Sequence, residues 1–400
     1  MSQATCLYSI AAHLNGGGIG RIAKYAALGL FRAGLLGELA CQGVQRGILP
    51  DELVQRRPFR LPRRLVRPLS DQSYYYLKNL DFDRWQRRMV DNDHPLYHGW
   101  TAQAPRSLEL AQRAGKRTIL TRGSTHILSQ ARLIAEAGLE VGVKREPIMP
   151  AVVARCLDEY RIADLIVVPS EFVKRSFEEN GHSRDNLIVV PFGVDPLVDW
   201  PHPEFNVRPS GPYRLLFVGQ VSLRKGVVPL LKAIKILHQR GSDLILNMAG
   251  VVDAQARQII DRLDFPRDKV VFLDFVPHPA GYMSVADAFV FPTYEEGSAL
   301  VTYEAMAAGA PMITTANAGS IARHEQEALL VPPGDAQAIA DAVQRLMDDP
   351  QLATQLGQAA RARVAPYSWD LYGARIALVH RLAAQGLDRA EIQRQIDDMV

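Results

Sequence analysis

Four hundred residues exceed what one ordinary hydrophobic core organises, so the length predicts two domains of about 150–200 residues each. The hydrophobic fraction of 48% and the charged fraction of 22% are typical of a soluble globular protein. A net charge of +3, from 46 basic and 43 acidic residues, gives no indication of a nucleic-acid partner. The three cysteines are odd in number and far apart, which argues against a disulfide framework or a zinc site.

The beginning of the chain has a short apolar run and no basic segment, so it predicts a first strand and not a signal peptide. No apolar stretch reaches the roughly 20 residues needed to cross a bilayer. We therefore expect a cytoplasmic protein. Positive charge is concentrated in residues 54–67, which contain six arginines and no acidic residue. This run indicates either a contact with an anionic membrane surface or a solvated loop. The six arginines are Arg56, Arg57, Arg60, Arg63, Arg64 and Arg67.

The first half of the chain alternates strand-type and helix-type patterns. A strand over residues 7–11 leads through a glycine loop into a helix over residues 21–32. Further strands are expected at residues 117–121, 165–169 and 187–191, whereas residues 45–93 show no regular pattern.

The second half follows a polar segment with five prolines, residues 196–212, which predicts an extended linker. Strands at residues 215–221, 244–249, 270–275, 288–292 and 311–315 then alternate with helices such as residues 227–240. This alternation predicts parallel sheets covered on both faces. We therefore expect an α/β chain with Rossmann-like domains over residues 1–195 and 213–366, whose sheets face each other across a cleft. Residues 367–400 are predicted to be helical and to return to the first domain.

The turn after the strand at residues 288–292 combines acidic and small residues. Glu296 and Gly297 occupy this turn, and Ser298 is the expected N-cap of a helix over residues 298–308. Backbone N–H groups at a helix start favour an anion such as a pyrophosphate. Glu304 lies on an apolar helix face, where its carboxylate needs a hydrogen-bonding partner such as the hydroxyls of a ribose. In the alternative interpretation, Glu296 complements the helix dipole and Glu304 pairs with a basic residue.

A second element of phosphate-binding type follows the strand at residues 215–221. After Gly219, Arg224 and Lys225 lie in a loop before the next helix, where both can reach phosphate oxygens. The alternative is an ordinary surface pair. The glycine loop at residues 16–20 also opens a helix, but it does not match G-x-G-x-x-G, so dinucleotide binding is not indicated. The acidic pairs at residues 81/83 and 91/93 match a D-x-D pattern, and we interpret them as surface acids without a metal.

Taken together, these motifs resemble those of the family-4 retaining glycosyltransferases of GT-B architecture, over nearly the whole chain. The run from Pro292 to Gly309, with its Glu296 and Glu304, resembles the family's Glu-x7-Glu donor signature. The run from Phe217 to Gly226 resembles its phosphate loop. Residues 163–171, 191–195, 330–335 and 367–369 are similar to further family motifs.

The resemblance implies a nucleoside diphosphate sugar as donor, with Glu304 on the ribose hydroxyls and Glu296 beside the transferred sugar. Lys225 and Arg224 would neutralise the diphosphate leaving group. His126 is the candidate first-domain histidine near that sugar, the alternative being a satisfied structural histidine. His98 is a second candidate, which could instead simply end a strand. No metal or cofactor is implied. The remaining donor contacts implied are Gly16, Gly17, Gly18, Gly219, Gly297, Ser298, Ala299 and Leu300.

The function expected from this resemblance is retaining transfer of a hexose to a glycan or lipid-linked acceptor, in the synthesis of cell-surface polysaccharide or lipopolysaccharide. The chain departs from the family pattern at three places in the segments that would bind the donor. They are Gln220 in place of a frequent arginine, Ser298 with Ala299 in place of Phe-Gly, and residues 318–321 in place of a glycine pair followed by glutamate. A nucleotide-sugar epimerase and a catalytically silent binding protein of the same build are the alternatives.

Overall fold

The computed structural model describes residues 4–14, 17–59, 70–143, 147–195, 211–277 and 279–399. The chain divides into two compact units. Unit 1 comprises residues 1–129, 147–193 and 369–400, and unit 2 comprises residues 130–146 and 194–368. The C-terminal helical segment therefore belongs to unit 1, whereas a short segment from the first half of the chain belongs to unit 2.

The strands and helices alternate along both units. The strands are β1 (Cys6–His13), β2 (Leu36–Gly43), β3 (Val54–Arg56), β4 (Leu96–Trp100), β5 (Arg117–Thr121), β6 (Leu165–Val168), β7 (Leu187–Val189), β8 (Tyr213–Val218), β9 (Leu244–Ala249), β10 (Val270–Asp274), β11 (Ala288–Phe291), β12 (Met312–Thr314) and β13 (Leu329–Leu330). The helices are α1 (Ile19–Arg32), α2 (Asp71–Val90), α3 (Pro105–Arg113), α4 (Ile127–Leu139), α5 (Pro150–Ile162), α6 (Glu171–Glu179), α7 (Val227–Gln239), α8 (Ala254–Ile260), α9 (Ala280–Val285), α10 (Leu300–Ala308), α11 (Ala336–Asp348), α12 (Pro350–Val364), α13 (Trp369–Ala384) and α14 (Arg389–Asp397).

Each unit is built on a parallel sheet, so the predicted α/β class is confirmed. In the described residues, unit 1 has the strand order β3-β2-β1-β4-β5-β6-β7 and unit 2 the order β10-β9-β8-β11-β12-β13. Numbered within each unit, both contain the order 3-2-1-4-5-6 of a doubly wound nucleotide-binding fold. The strand order reverses between β1 and β4 in unit 1 and between β8 and β11 in unit 2. Ligands of such sheets bind beyond the carboxyl ends of the strands at this reversal.

The sheets are held by apolar side chains that the strands bury on both faces, as parallel sheets require. In unit 1, one apolar cluster joins the sheet to α2, α3, α5 and α6 through Phe82, Leu108, Tyr160 and Phe177. In unit 2, α7 buries its Leu230, Ile234 and Leu237 side chains in this way. These cores fix the strand ends from which the candidate site is built.

Helix α13 is held in unit 1 by a buried pair of histidines. His380 Nδ1 lies 2.8 Å from the Ile376 carbonyl, so this nitrogen carries the proton and Nε2 accepts. His98 Nδ1 therefore donates to His380 Nε2 at 3.1 Å, and the Thr121 hydroxyl donates to His98 Nε2 at 2.7 Å. His98 is thus a satisfied core histidine in the interior of β4. Burial lowers the pKa of His380 to about 4.

We expect this pair to make the protein less stable in mild acid. Between the ordinary histidine pKa of 6.5 and about 4, the unfolded chain binds a proton at His380 that the folded chain does not. Stability therefore falls with falling pH, by at most about 1.4 kcal/mol per pH unit from this residue. Urea unfolding at several pH values should show a shallower pH slope for His380→Gln than for the parent. Equal slopes would contradict the assignment of a neutral His380.

The region predicted to lack regular structure, residues 45–93, contains the 20-residue helix α2, so that prediction is wrong. Charged and amide side chains interrupt the apolar stripe of α2, which hides its helical period. The interpretation of Asp83 as a surface acid is also wrong, because Asp83 is buried and accepts from the Ser107 backbone N–H at 3.2 Å and hydroxyl at 2.7 Å. It thereby caps the first turn of α3, where Ala104 offers no side-chain cap.

The arginine-rich run is only partly described. Arg56 pairs with Asp51 at 2.6 Å, and Arg57 pairs with Asp81 at 3.2 Å. Arg60, Arg63, Arg64 and Arg67 lie outside the described residues, as does most of the predicted linker, residues 196–210. Among the helices that can be described, none has the length and apolar character needed to cross a membrane. The contact with an anionic surface stays a prediction.

Candidate functional site

The candidate site of unit 2 lies where the strand order reverses. The loop after β8 and the loop after β11 leave neighbouring parallel strands at the same edge of the sheet. The Arg224 carbonyl accepts the Tyr294 N–H at 2.9 Å and the Thr293 hydroxyl at 3.0 Å. The two motifs that the sequence separates by some 70 residues are therefore joined into one surface.

Two cations and two carboxylates meet on this surface. Arg224 Nη1 lies 2.9 Å from Glu296 Oε1, 3.2 Å from Glu295 Oε2 and 2.7 Å from the Glu295 carbonyl. Lys225 Nζ forms an ion pair with the same Glu296 oxygen. The structure thus brings together Arg224, Lys225 and Glu296, three of the four predicted catalytic residues.

Burial and charge act in opposite directions on the two cations. Burial lowers the pKa of Lys225, and the nearby Glu296 carboxylate only partly offsets that effect. For Arg224, burial is outweighed by Glu296 and Glu295, so that its pKa rises. Two half-buried cations that share the Glu296 carboxylate can exchange it for the oxygens of a diphosphate, which gives each cation an equivalent partner.

Glu295 is a site residue that the sequence analysis missed. Its side chain is fully buried, whereas that of the adjacent Glu296 remains partly accessible. Glu295 therefore holds the Arg224 guanidinium group from the protein interior. Glu296 contacts the same group on its solvent-accessible side. Two consecutive glutamates give no sequence signal that tells which one points inward.

The loop from Tyr294 to Ala299 rests on residues 317–319, which overlap the segment 318–321 that departs from the family pattern. Asn317 and Ala318 carbonyls accept the backbone N–H groups of Glu296 at 3.0 Å and Ala299 at 2.9 Å. The Ala299 N–H is therefore already hydrogen-bonded to another part of the protein backbone. The remaining predicted backbone donors, Gly297, Ser298 and Leu300, stay predictions.

Ser298 is not the N-cap of α10, so that prediction is wrong. The helix begins at Leu300, and its N-cap residue is Ala299, without a side-chain cap. The Ser298 hydroxyl instead donates to the Gly319 carbonyl and lies 2.9 Å from the Tyr303 hydroxyl. These bonds fix the turn between β11 and α10.

The other predicted donor contacts lie on α10, after β8 and at the start of α1. Glu304 is half-buried on α10, between the buried Tyr303 and Ala305. Gly219 follows β8 with a φ of 133°, a value that side-chain-bearing residues rarely adopt. In unit 1, Gly17 is exposed and Gly18 is the N-cap of α1, while Gly16 lies outside the described residues.

His126 follows β5 in unit 1 and is enclosed by aromatic rings. Its ring centroid lies 4.9 Å from that of Phe177 and 5.0 Å from that of Tyr160. Burial, with the nearby Arg122 and His182, lowers its pKa to about 4, so the imidazole is neutral at pH 7. It also lines a cavity of about 550 Å³ together with His182 and Asn180. A role near the sugar stays a prediction for this residue.

The part of the chain that carries this site is similar to known proteins. Residues 212–349 match the family model described as glycosyl transferases group 1. The D-inositol 3-phosphate glycosyltransferase of Pseudarthrobacter chlorophenolicus is 31% identical over 252 residues, which are 58% of this chain and 58% of that protein. The match thus spans little more than half the length of that relative.

Solved structures resemble nearly the whole chain. Sucrose-phosphate synthase from Thermosynechococcus elongatus aligns with a TM-score of 0.69 at 22% identity, over 96% of this chain and 100% of that one. Anabaena Alr3699/HepE, solved in complex with UDP-glucose, aligns with a TM-score of 0.64 at 16% identity, over 96% and 100% of the two chains. At these identities the likeness concerns the fold, and it confirms the predicted GT-B architecture.

Proposed function

We propose that this chain transfers a hexose from a nucleoside diphosphate sugar, with retention of configuration, as the match of residues 212–349 to the glycosyl transferases group 1 model supports. The observation that carries the proposal is the cluster of Arg224, Lys225 and Glu296 at the strand-order reversal of unit 2. This position is where doubly wound sheets bind nucleotides. The UDP-glucose complex of the Anabaena protein of similar fold supports a nucleotide sugar as the donor.

In this proposal, Arg224 and Lys225 bind the diphosphate and stabilise the charge that develops when the bond to the sugar breaks. Fixed cations in a poorly hydrated site stabilise such charge strongly, because they need no reorganisation during the reaction. Glu296, which pairs with both cations in the structure, is displaced towards the sugar when the diphosphate arrives. Neither Glu296 nor Glu304 then acts as a proton shuttle, and the leaving phosphate accepts the proton of the acceptor hydroxyl.

The proposed acceptor is a glycan or a lipid-linked saccharide used in cell-surface polysaccharide or lipopolysaccharide synthesis. The candidate contribution of unit 1 is His126, whose neutral imidazole can accept or donate one hydrogen bond to a sugar hydroxyl. No metal or cofactor is part of this proposal.

The ribose assignment is tested with Glu304→Ala. A carboxylate that accepts bonds from two hydroxyls contributes two charge-assisted hydrogen bonds, so we expect the affinity for the preferred nucleoside diphosphate to fall about tenfold or more. Isothermal titration calorimetry measures this loss. Glu325→Ala is the matched control, because Glu325 lies in the same unit, outside the site, and is exposed. Unchanged affinity in Glu304→Ala would show that this residue does not bind the ribose.

A further inference from the structure

A second candidate site lies in unit 1 and shares no residue with the donor site proposed for unit 2. Helices α2, α3 and α5 line a cavity of about 790 Å³, which we call the arginine groove. Its lining contains six arginines and three carboxylates, a local net charge of +3. The arginines are Arg84 and Arg87 on α2, Arg106 and Arg113 on α3, and Arg155 and Arg161 on α5.

The carboxylates of the arginine groove are already engaged. Each of the three pairs with at least one groove arginine, at N–O distances from 2.6 to 3.4 Å. The pairs are Asp83 with Arg155, Glu109 with Arg106 and Arg113, and Asp158 with Arg161. No groove carboxylate remains for the two arginines of α2.

Arg84 and Arg87 lie one turn apart on the same face of α2, so their guanidinium groups can reach a common ligand. Within the described residues, neither forms a hydrogen bond or an ion pair. The Arg87 Nε atom is buried and has no hydrogen-bond partner there. A buried donor without an acceptor costs stability, and adjacent like charges add to that cost. An anion in the groove would remove both costs.

The chemistry of the arginine groove selects phosphate. Guanidinium groups bind phosphate oxygens through two parallel N–H donors, and several of them around one cavity bind a ligand with several phosphates. The concave shape selects a small ligand. A cavity of about 790 Å³ has the size of a small-molecule site, and the Arg155 side chain is only 11% exposed. A flat bilayer surface cannot reach such a side chain.

We propose that the arginine groove is a binding site for a small soluble ligand that carries two or more phosphate groups, with Arg84 and Arg87 as its principal contacts. The site belongs to unit 1 and is distinct from the donor site proposed for unit 2. The inference is independent of the proposed function, because it rests on charges that the donor site does not use.

The experiment titrates inorganic tripolyphosphate into the Lys225→Ala protein, a background in which binding at the proposed donor site is weakened. We expect binding that weakens as salt rises and that falls at least about tenfold when Arg84→Ala and Arg87→Ala are added. The control adds Arg32→Ala and Arg394→Ala, which remove the same charge from unit 1 outside the groove. These control changes should alter the affinity less than about threefold.

Three results would overturn the proposal. The first is the absence of tripolyphosphate binding, and the second is an equal loss in the control, which would indicate an effect of overall charge. The third is cosedimentation with phosphatidylglycerol vesicles that depends on Arg84 and Arg87 and is not displaced by tripolyphosphate, which would make the ligand a lipid surface. If the double variant unfolds, Arg84→Ala alone is used, because Arg84 is exposed and its removal leaves the packing of α2 intact.

Discussion

Lys225→Ala is expected to lower kcat by about a hundredfold to a thousandfold, the usual effect of removing one fixed group that stabilises charge in a transition state. Lys225 is the more buried of the two cations, and burial lowers its pKa, so its charge is poorly screened by water. In the proposed mechanism, the ammonium group is therefore a strong electrostatic partner for the leaving diphosphate. Release of nucleoside diphosphate from the preferred nucleotide sugar measures the effect.

The matched control for this variant is Lys235→Ala. Lys235 lies on α7 in the same unit, has a side chain that is 37% exposed, and pairs with Asp264. Its removal changes the net charge equally, and we expect kcat to stay within about twofold because exposed pairs contribute little. A Lys225→Ala protein as active as this control would show that Lys225 does not stabilise the leaving group.

Gly226→Ala is expected to destabilise unit 2 by about 2–5 kcal/mol. Gly226 joins the Arg224–Lys225 loop to α7 with a φ of 74°, where a side chain costs about 1–2 kcal/mol. A Cβ at this position would lie 2.0 Å from the Pro292 carbonyl oxygen, which adds an overpacking cost of about 1–3 kcal/mol. Because Pro292 begins the loop that carries Glu295 and Glu296, the variant should also lose donor affinity.

Gly241→Ala is the control, at the other end of the same helix. Gly241 has a similar φ of 81°, but a Cβ there would meet nothing within 4 Å. It should therefore show only the backbone cost of about 1–2 kcal/mol. Urea unfolding followed by circular dichroism compares the two variants. Equal destabilisation would mean that the contact between Gly226 and the Pro292 carbonyl does not constrain the site.

The sequence predicts the elements of the site better than their arrangement. The apolar runs in the sequence locate the strands. They are sufficient to place the Arg224–Lys225 loop and the Glu296 turn directly after two of those strands. Parallel topology then brings the ends of β8 and β11 together, which is why these residues meet. Ser298 shows the limit, because its hydroxyl bonds to Gly319, a residue distant in sequence, and so cannot cap the helix.

Side-chain direction is the information that the sequence lacks. Glu295 and Glu296 are adjacent and identical, yet only Glu295 is fully buried beneath Arg224. Aspartate is usually found at the protein surface, but tertiary packing buries Asp83 against the start of α3. The arginine groove is equally invisible in sequence, because its residues come from three separate helices.

Glycosyl transfer by this chain is tested by incubating the protein with UDP-, GDP- and ADP-sugars, with and without candidate saccharide acceptors. The nucleotide products are then separated by chromatography. We expect at least one nucleotide sugar to release its free nucleoside diphosphate, faster with an acceptor, and Lys225→Ala to slow this release by about a hundredfold or more. Formation of a new nucleotide sugar without free nucleoside diphosphate would contradict this expectation and indicate an epimerase. Tight binding of a nucleotide sugar without any turnover, across all acceptors, would indicate a binding protein.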